Sequence, residues 1–405
     1  MKFGLLTLAS VASAHTLFST LFINGKNQGD GTCVRMPRGG SGATAPIYPI
    51  DGADMACGRD GNKPVEFTCP VPHKATLTVQ FRIYSDGSRQ GAIAPGHLGP
   101  CAVYLKKVDD MYANNSAAGP GWFKIWEDGL DTASGKWCVD RLIASKGLLS
   151  VNLPTGLPAG YYLVRPEILA LHNAVDGDPQ FYVGCAQIYV QQGPDGPLNI
   201  PDGQSVSIPG YVSADTPGVK FNIYKKPLPK YTIPGPKVFI PQGKPSSSST
   251  AKQAQGGVPA DCILKNANWC AKQVPNFSTE DGCWAAVKNC YNQSKTCWSS
   301  APPTGRANCK TWQDYCKKLE SGCDSGQTKG PAEFKGKEIM AEVPGPIPKP
   351  WNDVFEGGKG NGSKSTVAVV TTTSTSTPVA KETDKEYSGG RSGGERRHVH
   401  RHQRQ

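Results

Sequence analysis

All 14 cysteines of this chain lie between Cys33 and Cys323 and fall into two groups, which bounds the fold more tightly than any other feature. Cys33, Cys57, Cys69, Cys101, Cys138 and Cys185 are spread over a long first region, and eight more crowd the stretch from Cys262 to Cys323. The residues ahead of them read as a secretory signal: Lys2 is a short positive region, Phe3 to Val11 is mostly apolar, and Ala12-Ser13-Ala14 fits a small-x-small cleavage site. An even cysteine count in an oxidising compartment implies disulfides rather than free thiols. Zinc would call for histidines or closely paired cysteines in a reducing compartment, and neither accompanies these spacings. The sequence therefore divides into a signal at 1–14, a first domain at 15–243, a linker rich in Pro, Ser, Gly and Gln at 244–259, a cysteine-rich module at 260–325 and a disordered tail at 326–405.

Charge follows the same division. Residues 15–243 carry 20 Lys and Arg against 18 Asp and Glu, whereas 244–405 carry 23 against 15, so the net +11 belongs mainly to the carboxy-terminal part. No nucleic-acid motif accompanies that charge, and a nucleic-acid partner is not expected. Beyond the signal no apolar run is long enough to cross a membrane, and the polar ending RRHVHRHQRQ is unlike a lipid-anchor signal. The expectation is a secreted, monomeric protein. Asn114, Asn276, Asn292 and Asn361 each open an Asn-X-Ser sequon and are candidate glycosylation sites, and the run ThrThrThrSerThrSerThrPro reads as an O-glycosylated tail.

Within the first domain, short alternating or β-branched runs recur at 16–23, 75–83, 101–108, 160–168 and 185–190, separated by clusters of Gly, Pro, Asn and Asp. Convincing helical periodicity is absent. The pattern predicts a mainly β fold, an immunoglobulin-like or fibronectin III-like antiparallel β-sandwich, with residues 225–243 and their five prolines as an irregular arm. In the module, Cys283, Cys290 and Cys297, and again Cys309, Cys316 and Cys323, stand seven residues apart. Seven residues is nearly two helical turns, so each triplet lies along one stripe, and two such helices can be stapled stripe to stripe. Disulfides would replace the core that so small a module cannot build.

Cleavage after Ala14 would make His15 the amino terminus. Its free α-amine and ring nitrogen could then close on one metal ion, a chelate open to no internal histidine, and nitrogen-rich sites favour Cu(II). With 7 histidines in 405 residues, chance would place one there fewer than about one time in fifty. Three other histidines lie in the first domain. His73 reads as structural, His97 sits in a glycine-flanked loop just ahead of a strand, and His172 ends an apolar strand whose return, through Gln180 and Tyr182, leads to Cys185.

At these residues the chain resembles the fungal lytic polysaccharide monooxygenases of auxiliary activity family 9, formerly glycoside hydrolase family 61. The likeness runs from His15 to about Pro241 through HisThrLeuPhe, GlyHisLeuGlyPro at 96–100, TrpPheLysIle at 122–125, LeuProAlaGlyTyrTyrLeuValArgProGlu at 157–167, AlaLeuHis at 170–172, GlnPheTyr at 180–182 and TyrThrIleProGlyPro at 231–236. Pro166 departs from the pattern, in which many members have histidine beside the arginine. The resemblance implies a single copper ion held by His15 and His97, with Tyr182 as a weak axial ligand. It also implies an outer shell of His172 and Gln180 that orients the activated oxygen, and Tyr231 as an exposed ring for stacking on sugar. The implied reaction is oxidative cleavage of cellulose or a related β-1,4-glucan at C1 and/or C4, using O2 or H2O2 and an external reductant. The lack of a long insertion between Gly29 and Asp51 leans toward both positions.

Two other function classes compete with this one. A hydrolase would need an acid and nucleophile pair, but Glu66, Glu127 and Glu167 are the only glutamates between His15 and Gly243, and no aspartate stands in such an arrangement. A copper-binding or carbohydrate-binding protein without turnover would not need His172 and Gln180 beside the metal. The module does not match the short fungal cellulose-binding module. Its Trp269, Trp284, Trp298, Trp312 and Tyr315 nonetheless suggest weak polysaccharide binding, with the sandwich keeping full chemistry alone and Trp312 and Tyr315 sharing a helical face.

Overall fold

The computed structural model describes residues 15–352 apart from 41, 115 and 247–251. The signal segment 1–14, Asn361 and the rest of the tail from 353 lie outside the described residues.

Two sheets face each other across the core. The smaller pairs the strands Leu148–Asn152, Thr76–Arg82, Leu17–Ile23 and Lys26–Asp30 in that spatial order, all antiparallel. Its strands obey the two-residue period: Leu77, Val79, Phe81, Leu149 and Val151 point into the core, while Thr78, Gln80, Arg82 and Ser150 alternate with them. The larger sheet is built on Cys101–Val108, Gly119–Asp128, Gly160–Asn173 and Cys185–Val190. One short strand, Cys69–Val71, joins it in parallel beside Cys185–Val190. Both faces of this sheet are apolar. Val103, Leu105, Phe123 and Val164 fill the inter-sheet core, and Tyr104, Trp122, Leu163 and Leu169 are buried under Val219, Phe221 and Ile223 of the following irregular segment. The proline-rich arm is fastened there, Lys124 Nζ donating to the Pro234 carbonyl at 2.8 Å and Phe239 N to the Lys124 carbonyl at 2.7 Å. The expected sandwich is thus present, with disulfides Cys33–Cys69, Cys57–Cys185 and Cys101–Cys138. A seven-residue helix, α1 (Cys138–Ala144), interrupts the β pattern. It is too short for a periodicity signal, and its opening turn is secured by Asp140 accepting from Trp137 N at 2.8 Å.

The module holds a hairpin, Leu264–Asn266 with Trp269–Ala271, and the helices α2 (Glu280–Ser300) and α3 (Ala307–Asp324). The seven-residue cysteine spacing works as expected: Cys283–Cys323, Cys290–Cys316 and Cys297–Cys309 staple α2 to α3 in antiparallel order, and Cys262–Cys270 closes the hairpin. Trp312 and Tyr315 share a helical face, their ring centroids 5.2 Å apart, and Trp284 is 39% exposed. Trp312 is fully buried, its Nε1 donating to the Cys290 carbonyl at 3.2 Å, and Trp269 is buried with it, because the small core needs large rings between the staples. Asn114, Asn276 and Asn292 are exposed, as a glycan acceptor must be.

Sequence composition suggests a free linker and tail, yet Gly256 of the linker and residues 338–352 of the tail lie against the sandwich. Gly256 accepts from Thr68 N at 2.7 Å, and Asn268 donates to the Gly31 carbonyl at 2.8 Å while accepting from Cys33 N at 2.9 Å. Gly31 has φ +74°, and a Cβ there would meet Ala267 at 2.9 Å, so glycine permits the approach. Residues 338–352, which have the composition of a disordered tail, run from Asp30 on one edge strand of the smaller sheet, where Ala341 N donates to Asp30 Oδ2 at 3.0 Å, to Ser150 and Asn152 on the other. Trp351 ends this strap with its ring 5.6 Å from that of Trp126 and 4.3 Å from the Arg141 guanidinium. Thr20, Thr78, Gln80 and Ser150 are buried although their face of the sheet points away from the core. The stability of the sandwich is therefore coupled to the strap and the module. Truncation after Gln242 should lower its thermal midpoint by several degrees, since about 1 kcal/mol corresponds to roughly 2–4 °C in a domain of this size. An unchanged midpoint by calorimetry would show that the strap and module contribute nothing.

Candidate metal centre

His15 stands immediately before the strand Leu17–Ile23, and Thr16 ties that start down by donating its hydroxyl to the Ala92 carbonyl at 2.6 Å. The His97 loop is laid along the strand Gly160–Asn173 by two backbone bonds, Leu171 N to the Leu98 carbonyl at 2.8 Å and Leu169 N to the Pro100 carbonyl at 3.1 Å. A Cβ on Gly99 would sit 1.8 Å from the Leu169 carbonyl oxygen, so the glycine that flanks His97 is what lets the loop lie this close. Strand Gly160–Asn173 then turns at Ala174–Asp176 and returns as Asp178–Val183, pairing Ala170 with Gln180 and Ile168 with Tyr182.

These elements bring the predicted residues together. The rings of His15 and His97 are perpendicular, with centroids 6.0 Å apart, and Tyr182 lies 6.0 Å from His15 and 6.1 Å from His97. His172 is closer to His97, at 4.2 Å between centroids. Tyr182 donates its hydroxyl to Gln180 Oε1 at 2.7 Å, and Gln180 Nε2 donates to Asp178 Oδ2 at 2.7 Å. Asn173 reaches the same carboxylate oxygen at 3.3 Å. Asp178 is the residue of this cluster that sequence reasoning misses, although the signal exists: residues at i, i+2 and i+4 of a strand share a face, and Gln180 and Tyr182 already define it.

Burial sets the protonation states. Desolvation, helped by the neighbouring His172 and His15, lowers the His97 pKa to about 4, and desolvation also lowers that of His172. Burial, with the Asp178 charge as a smaller cause, raises the Tyr182 phenol well above its usual range and keeps it protonated. The Nδ1 atoms of His97 and His172 are buried without a hydrogen-bond partner. Two imidazoles in perpendicular planes, one carrying an orphaned nitrogen, fit a nitrogen-preferring metal such as copper. Among the described residues no group of three or more His, Cys, Asp or Glu side chains could hold a metal ion, so the third strong donor would have to be the α-amine released at His15. The copper-free protein should lose stability as pH falls from about 6.5 toward 4. In that window the unfolded imidazole of His97 takes a proton that the folded one refuses, so the unfolded state binds more protons. Denaturant titrations of chelator-treated protein check this; a midpoint that rose on acidification would contradict it.

Tyr231 is not a free ring. Its edge packs against Trp137 and Phe221, each at 4.8 Å between centroids, and its hydroxyl donates to the Gly218 carbonyl at 2.8 Å, which makes it an anchor for the arm. The ring that does face solvent is Tyr48, 84% exposed, beside Ile47 whose N–H donates to the Phe181 carbonyl at 2.8 Å. The preceding Ile47 is held against Phe181 by a long-range bridge that no local pattern announces.

Comparison with known proteins agrees with this geometry. The model of Auxiliary Activity family 9 (formerly GH61) matches residues 15–231. The chain is 48% identical to AA9 family lytic polysaccharide monooxygenase C of Aspergillus tamarii over 348 residues, covering 83% of this chain and 92% of that protein. It is 45% identical to AA9 family lytic polysaccharide monooxygenase H of Botryotinia fuckeliana, covering 82% and 79%. Both alignments extend well past residue 231, so these relatives share more than the sandwich. The solved structure titled CvAA9A superposes with a TM-score of 0.50 at 31% identity, covering 57% of this chain and all of that one. The chain belongs to Auxiliary Activity family 9, the lytic polysaccharide monooxygenases, which are copper-dependent oxidoreductases.

Proposed function

We propose that this chain is secreted, that cleavage after Ala14 frees the α-amine of His15, and that this amine with the rings of His15 and His97 holds one copper ion beside the Tyr182 phenol. Copper supplies the one-electron chemistry by which O2 or H2O2, fed by an external reductant, hydroxylates C1 or C4 of a β-1,4-linked glucose unit, after which the glycosidic bond breaks. The chain's own residues prepare that chemistry. Burial keeps the His97 imidazole unprotonated and able to ligate. Asp178 and Tyr182 fix the Gln180 amide by hydrogen bonds at both ends, so that Gln180 and His172 can orient the reacting oxygen by hydrogen bonding. Tyr48 offers an exposed ring to a flat polysaccharide surface.

The substrate is cellulose or a related β-1,4-glucan, the expected oxidation is at both C1 and C4, and the enzyme acts as a monomer. The observation that carries this reading is the perpendicular pair of His15 and His97 above Tyr182. Mass spectrometry of soluble products from cellulose, with a small reductant and with or without chelator, tests it. Oligosaccharides ending in an aldonic acid, heavier by one oxygen, or in a 4-ketone, lighter by two hydrogens or heavier by one oxygen as the hydrate, and lost on chelation, are expected; only native oligosaccharides would indicate a hydrolase, and no products a binding protein.

A further inference from the structure

Outside the metal centre a groove of about 720 Å³ opens in the cysteine-rich module, between α3 and residues 327–336. Its floor is apolar, formed by Tyr315, Leu319 and Phe334, the Tyr315 and Phe334 rings standing perpendicular with centroids 5.4 Å apart. The rim is charged: Asp314, ion-paired with Lys310 at 2.6 Å, and Glu333 lie with Lys318 and Lys335. The far wall is fixed rather than loose. Phe277 and Gly330 exchange backbone hydrogen bonds at 2.8 and 3.1 Å, and Tyr315 donates its hydroxyl to the Ala332 carbonyl at 3.0 Å.

We propose that this groove is a second polysaccharide site that holds a single neutral β-glucan chain. Two aromatic rings supply flat apolar surface for the C–H face of a pyranose. Carboxylates that accept and ammonium groups that donate match hydroxyls that do both, and with Lys310 counted only a small positive excess remains to favour an ionic ligand. A nucleic acid or acidic peptide would call for a larger excess of cations than this rim has. Because the module is docked on the sandwich through Asn268 and the 338–352 strap, a glucan chain held in the groove would keep the metal centre near the same substrate particle. The choice of glucan rests on the substrate proposed above; the groove itself does not.

The test uses the full secreted chain, copper-loaded, with the variants Tyr315→Ala and Lys318→Ala/Glu333→Ala. The double variant changes only the rim, which guards against misfolding from loss of the Tyr315 ring. Losing an aromatic contact of this kind is expected to reduce partition onto microcrystalline cellulose by about 3- to 10-fold, while oxidation of soluble cellohexaose stays at the parental rate. Parental partition in both variants, at unchanged thermal midpoints, would overturn the groove. Reduced partition in a chain that failed to oxidise any glucan would support the groove and contradict the proposed reaction instead.

Discussion

A chain that keeps one extra residue ahead of His15 should lose tight copper binding by roughly 10²-fold or more, since removing a direct ligand must cost at least what removing a ligand's supporting partner costs. The reason is arithmetic of donors. His15 and His97 supply two imidazoles, no third His, Cys, Asp or Glu side chain is placed to complete a site among the described residues, and the peptide nitrogen of an internal residue can replace the amine only by losing its amide proton, at a cost in affinity. The amine must also shed a proton to bind, so affinity should fall with acidity even though His97 itself resists protonation down to about pH 4. Copper titrations of the mature chain and of one beginning Met-His15 decide the matter. Equal affinity would remove the amine from the site.

The second large effect separates binding from turnover. His97→Ala should abolish copper retention, whereas His172→Ala and Gln180→Ala should retain copper and lose oxidative rate by on the order of 10²-fold, the usual cost of removing a donor that orients a reacting oxygen. Gln180 should be the more sensitive to its surroundings, because its amide is held at both ends, by Tyr182 and by Asp178. Asp178→Asn, which keeps size but removes charge, should then lower the rate by less than Gln180→Ala does. Copper-loaded His172→Ala oxidising cellulose at the parental rate would show that the ring 4.2 Å from His97 has no part in the reaction.

Local pattern carries much of this fold, and its failures have a common cause. Alternation along Thr76–Arg82 and turn residues between strands announce a sandwich, and the seven-residue cysteine spacing announces two stapled helices, because these are properties of single elements. His15, His97, His172, Gln180 and Tyr182 are legible through their resemblance to a known set. Packing between distant parts of the chain is not legible. The resemblance implies an exposed ring at Tyr231, but that ring anchors the arm against Trp137, and no local pattern shows that Trp312 fills the module core. The segment 338–352 has a tail's composition and yet ends with Trp351 against Trp126 and paired amides between Asn352 and Asn152, contacts 200 residues apart in sequence. Asp178 shows the opposite case, a residue that strand alternation alone supplies.

The most direct measurement of the central claim is electron paramagnetic resonance of the secreted, chelator-treated chain titrated with Cu(II). The account predicts saturation at one equivalent with a signal from three nitrogen donors, and no such tightly bound signal in His97→Ala or when the amino terminus is extended. A signal unchanged by either alteration would contradict it.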